Sequence, residues 1–320
     1  MLIKKNNFSD TINIHNYSIA IGNFDGIHKG HRYLLRQLIK CRKNEKDKIA
    51  VLSFFPHPIK VLAKNRWKKN LVKIRTKYKL LSYLGIDALF ILTFNKKFSL
   101  ITAEDFIEKY LIDKLKVKNI VVGEDFKFGS NRRGDVNLLK KYEEKNFFKL
   151  ISIEKRGSEK EIYSSSLIRS YIKNGKMSRA TNLLGYYWEV YGKVIKGDAR
   201  GRLLGYPTAN LRYTYQISPS KGIYASWTQV EGEKKWRMSA VSTGIRPQYN
   251  GIEEILEVYI FNFSGNLYQK RIRVAFIEKI RDEETFKNEM QLKIQMKRDC
   301  IKIQEILEKN KIMDNNVGKQ

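Results

Sequence analysis

Apolar residues in the first half of the chain form short continuous runs that alternate with segments in which they recur at helical spacing. The runs predict strands and the spaced segments predict helices. The predicted strands are 17–21, 48–55, 87–94 and 117–123, and the predicted helices are 32–40, about 72–84 and about 103–115. Continuous apolar strands separated by helices are typical of a parallel sheet covered on both faces. We therefore predict an α/β domain whose ligands bind beyond the carboxyl ends of the strands.

After about residue 185 the pattern changes to short alternating segments rich in tyrosine and valine. These segments predict strands at 188–195, 222–227, 236–241, 256–261 and 270–276. Turn residues separate them, which is typical of an antiparallel sheet that closes into a small barrel. A final helical pattern at about 283–309 has its apolar packing stripe at Phe286, Met290, Ile294, Ile301 and Leu307. We therefore predict two domains, at 1–184 and 185–320.

Composition and charge narrow the class of protein. The chain has neither the apolar run of a signal peptide nor a stretch of about 18 apolar residues, so we expect a cytoplasmic protein without a membrane partner. The net charge of +29 suits nucleic-acid binding. The lysines, however, are spread along the chain without a basic stripe, so we expect no specific nucleic-acid partner. Cys41 and Cys300 stand far apart without a nearby ligand pattern, which argues against a disulfide framework or a zinc site. An oligomer is possible but not indicated.

The segment 21–31, Ile-Gly-Asn-Phe-Asp-Gly-Ile-His-Lys-Gly-His, joins the first predicted strand to the first helix and contains His28 and His31. Such a turn presents backbone N–H groups and the positive end of a helix to a phosphate. Its imidazoles can donate hydrogen bonds to phosphoryl oxygens. The glycines that allow a close backbone approach are Gly22, Gly26 and Gly30. The alternative is that both histidines are ordinary surface residues near a helix start.

Three further segments of the first half carry candidate chemistry. The prolines of Phe54-Phe-Pro-His-Pro58 fix the direction of His57, although a structural turn would read the same way. In the segment 122–129, Phe126 and Phe128 offer flat apolar faces to a ring system or to the core. The run Ser164-Ser-Ser-Leu-Ile-Arg169 combines hydroxyls at a helix start with an arginine, which suits a polyphosphate or a plain helix cap.

The second half contains one long candidate motif, the glycine- and arginine-rich segment 192–211 that ends in Pro-Thr-Ala-Asn-Leu. Its backbone can wrap phosphates, and Thr208 and Asn210 supply hard oxygen ligands for Mg²⁺. Pro-Thr-Ala-Asn alone could be an ordinary turn. Glu257 stands on an otherwise apolar strand, where it either accepts a proton from a hydroxyl group or faces solvent.

Taken together, these motifs resemble those of bacterial bifunctional riboflavin kinase/FAD synthetases from about residue 17 to 307. Residues 22–31 resemble the HxGH signature of the nucleotidylyltransferase superfamily, and 164–169 resemble its ISSTxIR signature. Residues 192–211 resemble the riboflavin kinase signature nearly end to end. The resemblance implies a Rossmann-like nucleotidylyltransferase domain followed by a riboflavin kinase barrel with a C-terminal helix. It also implies two reactions: riboflavin and ATP give FMN, and FMN and ATP give FAD and pyrophosphate.

The resemblance also implies roles for individual residues. The implied catalytic residues are His28, His31, Arg169 and Glu257, the last as the base. Implied to bind ATP or phosphate are Gly22, Asn23, Phe24, Asp25, Gly26, Gly30, Ser164, Ser165, Ser166, Gly197, Arg200, Gly201, Arg202 and Gly205. The implied flavin contacts are Pro56, His57, Pro58, Asp125, Phe128 and Arg281, and the implied Mg²⁺ ligands are Thr208 and Asn210.

Four residues depart from the family pattern. Ser242, Gln248, Gln269 and Tyr163 stand where the family usually has asparagine, threonine, glycine and isoleucine. The first two are expected to alter flavin affinity in the kinase. Two alternatives stay open at this point: only one of the two modules is active, or the protein is a flavin- or nucleotide-binding regulator without turnover.

Overall fold

The computed structural model describes residues 1–6, 17–157, 161–197, 200–248 and 251–310. The chain divides into two compact units. The first consists of Met1–Lys68 and Ile74–Ser164, and the second of Lys69–Lys73 and Ser165–Gln320. The domain boundary between residues 184 and 185 stays a prediction. In the described parts, no helix is long and apolar enough to cross a membrane.

The first unit is built on a six-stranded parallel sheet in the order β1-β4-β3-β2-β5-β6. The strands are β1 Leu2–Asn6, β2 Tyr17–Ile21, β3 Lys48–Phe55, β4 Ala88–Thr93, β5 Asn119–Gly123 and β6 Lys149–Ile153. Ile21 pairs with Leu52 of β3, and Ala20 pairs with Val121 of β5, so β2 lies between these two strands. The strand order reverses beside β2, which is where open α/β sheets bind ligands. The predicted parallel sheet is confirmed.

Helices connect these strands. They are α1 Lys29–Lys40, α2 Pro58–Leu62, α3 Ile74–Tyr83, α4 Lys96–Ser99, α5 Ala103–Asp105 and α6 Val136–Glu144, with a π-helix over Phe106–Lys114 and short 3₁₀ turns at Lys64–Arg66 and Ser130–Arg132. The strands are buried along most of their length, as continuous apolar runs require: Ile19, Leu52 and Ile120 have no exposed surface. The sheet is therefore a rigid support for the loops at its carboxyl edge.

The second unit is a closed antiparallel barrel in the order β10-β11-β8-β7-β12-β9. Its strands are β7 Glu189–Ile195, β8 Thr208–Arg212, β9 Gly222–Val230, β10 Trp236–Gln248, β11 Gly251–Ile260 and β12 Arg271–Arg281, and its helices are α7 Ser165–Lys173, α8 Met177–Leu184, α9 Arg200–Leu203 and α10 Glu289–Lys309. The predicted barrel with its C-terminal helix is confirmed. Strand β8 was not predicted, because Pro-Thr-Ala-Asn has the composition of a turn.

The apolar stripe predicted for the last helix is right at Leu307, which is buried, but wrong at its other positions, and Phe286 precedes the helix. Met290 is 72% exposed, and Ile294 and Ile301 are also exposed. The face that packs on the barrel instead carries Asp299, Ile303 and Leu307, at intervals of four residues. The physical reason is the carboxylate of Asp299, which is buried in an ion pair with a barrel arginine described below.

A short segment of the first half of the sequence belongs to the second unit. We call this segment, Lys69–Lys73, the strap. Its Asn70 exchanges backbone hydrogen bonds with the segment at Tyr215 to Ile217. Trp188 Nε1 and Gln216 Nε2 both donate to the carbonyl oxygen of Leu71, at 2.8 and 3.0 Å. The strap is therefore held by backbone and side chains alike, and Leu71 has no exposed surface.

Candidate active sites

Three of the predicted motifs leave neighbouring strands of the first unit at one edge of the sheet. The loop 22–28 follows β2, Pro56–Pro58 follows β3, and the segment 124–129 follows β5. Since β3 and β5 flank β2 in a parallel sheet, the loops leave the sheet on the same side. The structure thus brings together the segments that the sequence predicted to share a crevice.

The two histidines form a stacked pair at the start of α1. Their ring centroids lie 3.6 Å apart, with an angle of 19° between the planes. His28 is the N-cap of α1, and its Nδ1 accepts a hydrogen bond from the backbone N–H of His31 at 3.3 Å. An imidazole that accepts at Nδ1 carries its proton on Nε2 when neutral. Nε2–H of His28 is therefore a hydrogen-bond donor on the residue that caps the positive end of the helix.

His31 is held in its neutral form. Burial is the main cause that keeps the pKa of His31 well below its usual range, and the adjacent His28 and Lys77 lower it further. Its Nδ1 and the side-chain oxygen of Asn23 are buried without a hydrogen-bond partner among the described residues. Buried polar atoms normally have partners, so two such atoms in one loop region indicate a place where a ligand binds.

The loop between β2 and α1 has an unusual backbone. Phe24, Gly26 and Ile27 have φ angles of 45°, 86° and 41°. Left-handed φ is costly for a phenylalanine and more so for a β-branched isoleucine. Both side chains are buried, as is Asp25, so the surrounding packing maintains a loop shape that the local sequence disfavours.

Glycine is needed where the loop enters the helix. A Cβ on Gly30 would lie 3.1 Å from Cβ of Tyr163 and 3.2 Å from Nδ1 of His28. A Cβ on Gly22 would lie 3.2 Å from the Phe24 ring. These close approaches, rather than left-handed backbone, account for the two glycines.

Sequence reasoning missed Lys77 of α3, which contacts this loop. Its Nζ donates to the carbonyl oxygen of Asn23 at 2.6 Å. No motif contains it. A signal was present nonetheless, because Lys77 lies three and four residues before the buried Leu80 and Leu81 and so shares their apolar face.

The predicted flavin contacts have different environments. His57 caps α2, its Nδ1 accepting from the backbone N–H of Ile59 at 3.2 Å. Asp125 forms an exposed ion pair with Lys155 at 2.9 Å. Phe128 is buried in the core and stacks on Phe126, with ring centroids 5.3 Å apart. Phe126 is the more accessible of the two rings, and the flavin contacts stay predictions.

The serine and arginine motif spans the division between the units. Ser164 ends the first unit, and Ser165 and Ser166 open α7 of the second. Arg169 is buried, and its Nε donates to the carbonyl oxygen of Lys69 in the strap at 3.1 Å. Arg169 therefore has a structural contact in addition to the phosphate-binding role predicted for it.

In the second unit, the predicted base and the predicted metal ligands lie on adjacent strands. Glu257 of β11 pairs directly with Asn210 of β8, and Tyr259 pairs with Thr208. Side chains directly opposite in an antiparallel pair have Cβ atoms about 4.5–5.5 Å apart. Thr208, Asn210 and Glu257 therefore share one face, because residues two apart on a strand point the same way. On its other side Glu257 pairs with Ser242, so this departure from the family lies beside the predicted base.

The glycines of the same motif permit this packing. A Cβ on Gly197 would overlap the side-chain amide of Asn210, and one on Gly201 would overlap the carbonyl of Tyr206 and lie 3.3 Å from the hydroxyl of Thr208. Gly205 has a φ of 88°. A larger residue at 197 would displace the side chain of Asn210, and one at 201 would displace the backbone at Tyr206.

A cleft of about 670 Å³ lies beside β8 and β11, where Ala209 and Val258 line it and Asn210 and Glu257 do not. Arg202, Thr208 and the loop 263–268 are among the residues that line it. Arg200 opens α9, but its side chain lies outside the described part, as does that of Gln248. Gln269 has a φ of 67°, which is the conformation that the usual glycine of the family adopts without strain.

The oxygen donors on the shared face of Thr208, Asn210 and Glu257 fit Mg²⁺. The side-chain oxygen of Asn210 is buried without a partner in the described part of the chain. The hydroxyl of Thr208 and the carboxylate of Glu257 share its face, and Mg²⁺ prefers such hard oxygen ligands. The described residues contain no group of three His, Cys, Asp or Glu side chains able to hold a metal, so this mixed set is the candidate.

Arg281 forms a bidentate ion pair with Asp299 of α10. Its Nη2 lies 2.8 Å from one carboxylate oxygen, and its Nε lies within hydrogen-bonding distance of both. Gln295 donates to the same carboxylate at 2.8 Å. Arg281 thus anchors the last helix to the barrel, and its predicted flavin contact stays a prediction.

Neither cysteine is a reactive thiolate at neutral pH. Both are free. Burial raises the pKa of Cys41, and burial together with Asp299 raises the pKa of Cys300 to about 11. Thiols of this kind are weak nucleophiles, in keeping with the absence of a cysteine motif in the sequence.

Comparisons with known proteins show which family the chain belongs to. A family model described as FAD synthetase matches residues 11–167, and one described as riboflavin kinase matches residues 184–307. The bifunctional riboflavin kinase/FMN adenylyltransferase of Buchnera aphidicola subsp. Schizaphis graminum is 38% identical over 287 residues, which cover 89% of this chain and 92% of that protein. The protein of that name from Escherichia coli (strain K12) is 35% identical over 281 residues, covering 88% and 90%.

A solved structure described as a macrolide-efflux protein from Streptococcus pneumoniae has a TM-score of 0.84 and 29% identity, covering 95% of this chain and 99% of that one. The relatives with both flavin activities match this chain along nearly their whole length, and each activity has its own matching family model. The chain therefore belongs to the family of bifunctional riboflavin kinases/FMN adenylyltransferases.

Proposed function

We propose that each unit of this chain performs one of the two family reactions with the residues assigned above. Phosphorylation of riboflavin takes place on the barrel, and adenylylation of FMN takes place at the stacked histidines. The observation that carries the proposal is the direct cross-strand pairing of Glu257 with Asn210. A protein that only binds flavin or nucleotide has no need of a base beside a metal ligand.

In the kinase reaction, Glu257 accepts the proton of the primary hydroxyl of riboflavin as the hydroxyl oxygen attacks the γ-phosphorus of ATP. The O–P bond to the flavin forms, the bond to the β-phosphate oxygen breaks, and ADP leaves. Thr208 and Asn210 would hold Mg²⁺, which neutralises charge on the phosphates when bound. Gly197 and Gly201 keep room for these ligands.

In the adenylyl transfer, a phosphate oxygen of FMN attacks the α-phosphorus of ATP, and pyrophosphate leaves. The attacking oxygen is already anionic, so no base is needed. His28, through Nε2–H, and His31 donate to phosphoryl oxygens as charge develops, and the N-terminus of α1 adds its positive end. Catalysis is then positioning together with charge stabilisation. Asp25 orders the loop.

The test is to incubate the purified protein with riboflavin, ATP and Mg²⁺ and to separate the flavins by chromatography. FMN and then FAD are expected. A sample treated with a chelator should form neither until Mg²⁺ is restored. FMN without FAD would leave the kinase as the only active unit, FAD from supplied FMN alone would leave the adenylyltransferase, and no turnover would favour a flavin-binding regulator. We also propose that the protein works in the cytoplasm, where ATP is available.

A further inference from the structure

Lys77 contacts the loop between β2 and α1 from α3, a helix that contains none of the motifs identified in the sequence. Its Nζ donates to the carbonyl oxygen of Asn23 at 2.6 Å and lies 3.4 Å from Oγ of Ser53. Oγ of Ser53 donates to the same carbonyl at 3.3 Å. Two side chains from two different elements therefore fix one backbone carbonyl at the start of the loop.

The position of Lys77 is unfavourable for a charged side chain, because it removes the ammonium group from water. Lys77 shares a helix face with the buried Leu80 and Leu81. Burial lowers the pKa of Lys77, whereas the carboxylate of Asp25 acts in the opposite direction. Removing an ammonium from water is unfavourable unless hydrogen bonds and an opposite charge replace its hydration. A packing role alone would be filled better by an apolar residue.

The loop needs such a contact because of its backbone. Phe24 and Ile27, both with left-handed φ, follow the carbonyl of Asn23. A residue other than glycine is strained in this region and persists there only where the surroundings enforce it. At the other end of the loop, Nε of Arg32 donates to the carbonyl oxygen of Ile27 at 3.3 Å. A cationic side chain thus holds each end.

We propose that Lys77 is a positioning residue for adenylyl transfer. Through the carbonyl of Asn23, it holds the loop in the shape that sets His28 and His31 at the start of α1. The inference rests on the FMN adenylyltransferase function proposed above. Lys77 acts on the rate of the chemical step through the loop and is not assigned a contact with either substrate.

The experiment compares three variants of the full chain with the wild type. Lys77→Met keeps the length and volume of the side chain but removes its charge and its hydrogen-bond donors. Lys77→Arg keeps the charge and the donors. Lys79→Met is the matched control, since Lys79 lies on the same helix with its Nζ over the ring of Tyr83. The readouts are kcat and KM for FMN and ATP in FAD formation, with riboflavin phosphorylation by the same sample as the internal reference.

We expect Lys77→Met to lower kcat of FAD formation by roughly 10²-fold, the cost of a misplacement of about 1 Å. KM values and kinase activity should change little, Lys77→Arg should recover part of the loss, and Lys79→Met should match the wild type. A packing role predicts the reverse order, because methionine suits an apolar face better than arginine does. A Lys77→Met enzyme with wild-type kcat, or one no worse than Lys77→Arg, would overturn the proposal.

A second measurement does not depend on turnover. The chain has four histidines, so their Cε1–H signals can be resolved by NMR. The signals of His28 and His31 should shift in Lys77→Met and stay unchanged in Lys79→Met. Unshifted signals in Lys77→Met would also overturn the proposal. Absence of FAD formation by the wild type would instead refute the proposed function, so the two failures can be told apart.

Discussion

The carboxylate of Glu257 is the proposed base of the kinase reaction. Its neighbours across the barrel strands are Asn210 on one side and Ser242 on the other. Glu257→Gln keeps the shape and removes the proton acceptor, so FMN formation should fall by about 10²–10⁴-fold. The variant should still convert supplied FMN to FAD. Chromatography of the flavins measures both rates in one sample, and full kinase activity in the variant would contradict the assignment of the base.

The imidazole of His31, whose Nδ1 is buried, makes the stability of the first unit depend on pH. Because the folded chain holds the pKa of His31 well below its usual range, the unfolded chain binds a proton here that the folded chain does not. Stability from this group is therefore present above the ordinary histidine pKa, about 6.5, and is lost as the pH falls below it.

Scanning calorimetry tests this dependence. Between about pH 7.5 and about pH 5.5, the Tm of the first unit should fall less in His31→Asn than in the wild type. His57→Asn is the control, because His57 lies outside the loop between β2 and α1 and caps a different helix, α2. An equal fall in Tm for His31→Asn and the wild type would show that other groups set the pH dependence.

Among the elements, α10 depends on one ion pair. Asp299 and Arg281 are both largely buried, and Asp299→Ala would leave the guanidinium without its carboxylate. Breaking a buried pair in this way costs about 3–5 kcal/mol. Urea unfolding followed by circular dichroism should show this loss. Asp282→Ala, which removes an exposed carboxylate paired with Lys279, should change the free energy of unfolding by less than about 1 kcal/mol.

The elements also show how far sequence patterns reach. Strands β2 and β3 begin and end where the continuous apolar runs predict, because burial on both faces leaves a pattern that needs no knowledge of neighbours. Strand β8 and the orientation of α10 were not predictable in this way. The first is set by pairing with β7 and β11, and the second by Asp299, whose partner Arg281 lies on another element. Likewise, sequence motifs identified His28 and Thr208. Lys77 belongs to none of these motifs, because it contacts a backbone carbonyl, and the sequence shows it only as a charged residue on an apolar helix face.

At the scale of the whole molecule, the strap belongs to the second unit although it lies between two parts of the first unit in the sequence. Leu71 lies among the residues of the first unit in the sequence but is buried in the second. Leu71→Ala should cost about 2–5 kcal/mol, and that loss should fall on the barrel. We therefore expect heating to inactivate the kinase at a lower temperature in this variant, while FAD formation from supplied FMN persists.

Leu81→Ala provides the matched control, since Leu81 is equally buried but belongs to the first unit. It should lower the temperature at which adenylyl transfer is lost and spare the kinase. The assay is residual activity of each kind after brief heating of the same sample. Loss of adenylyl transfer before kinase activity in Leu71→Ala would contradict the placement of the strap.

The strap also has a consequence for the newly made chain. Its partner Gln216 follows Leu71 by 145 residues, so at ordinary rates of translation about 7–30 s pass between their syntheses. During that time Leu71 and Val72, both buried in the finished protein, have emerged without the residues that cover them. A ribosome-bound chain of this protein therefore exposes Leu71 and Val72 to solvent until the residues of the barrel have been synthesised.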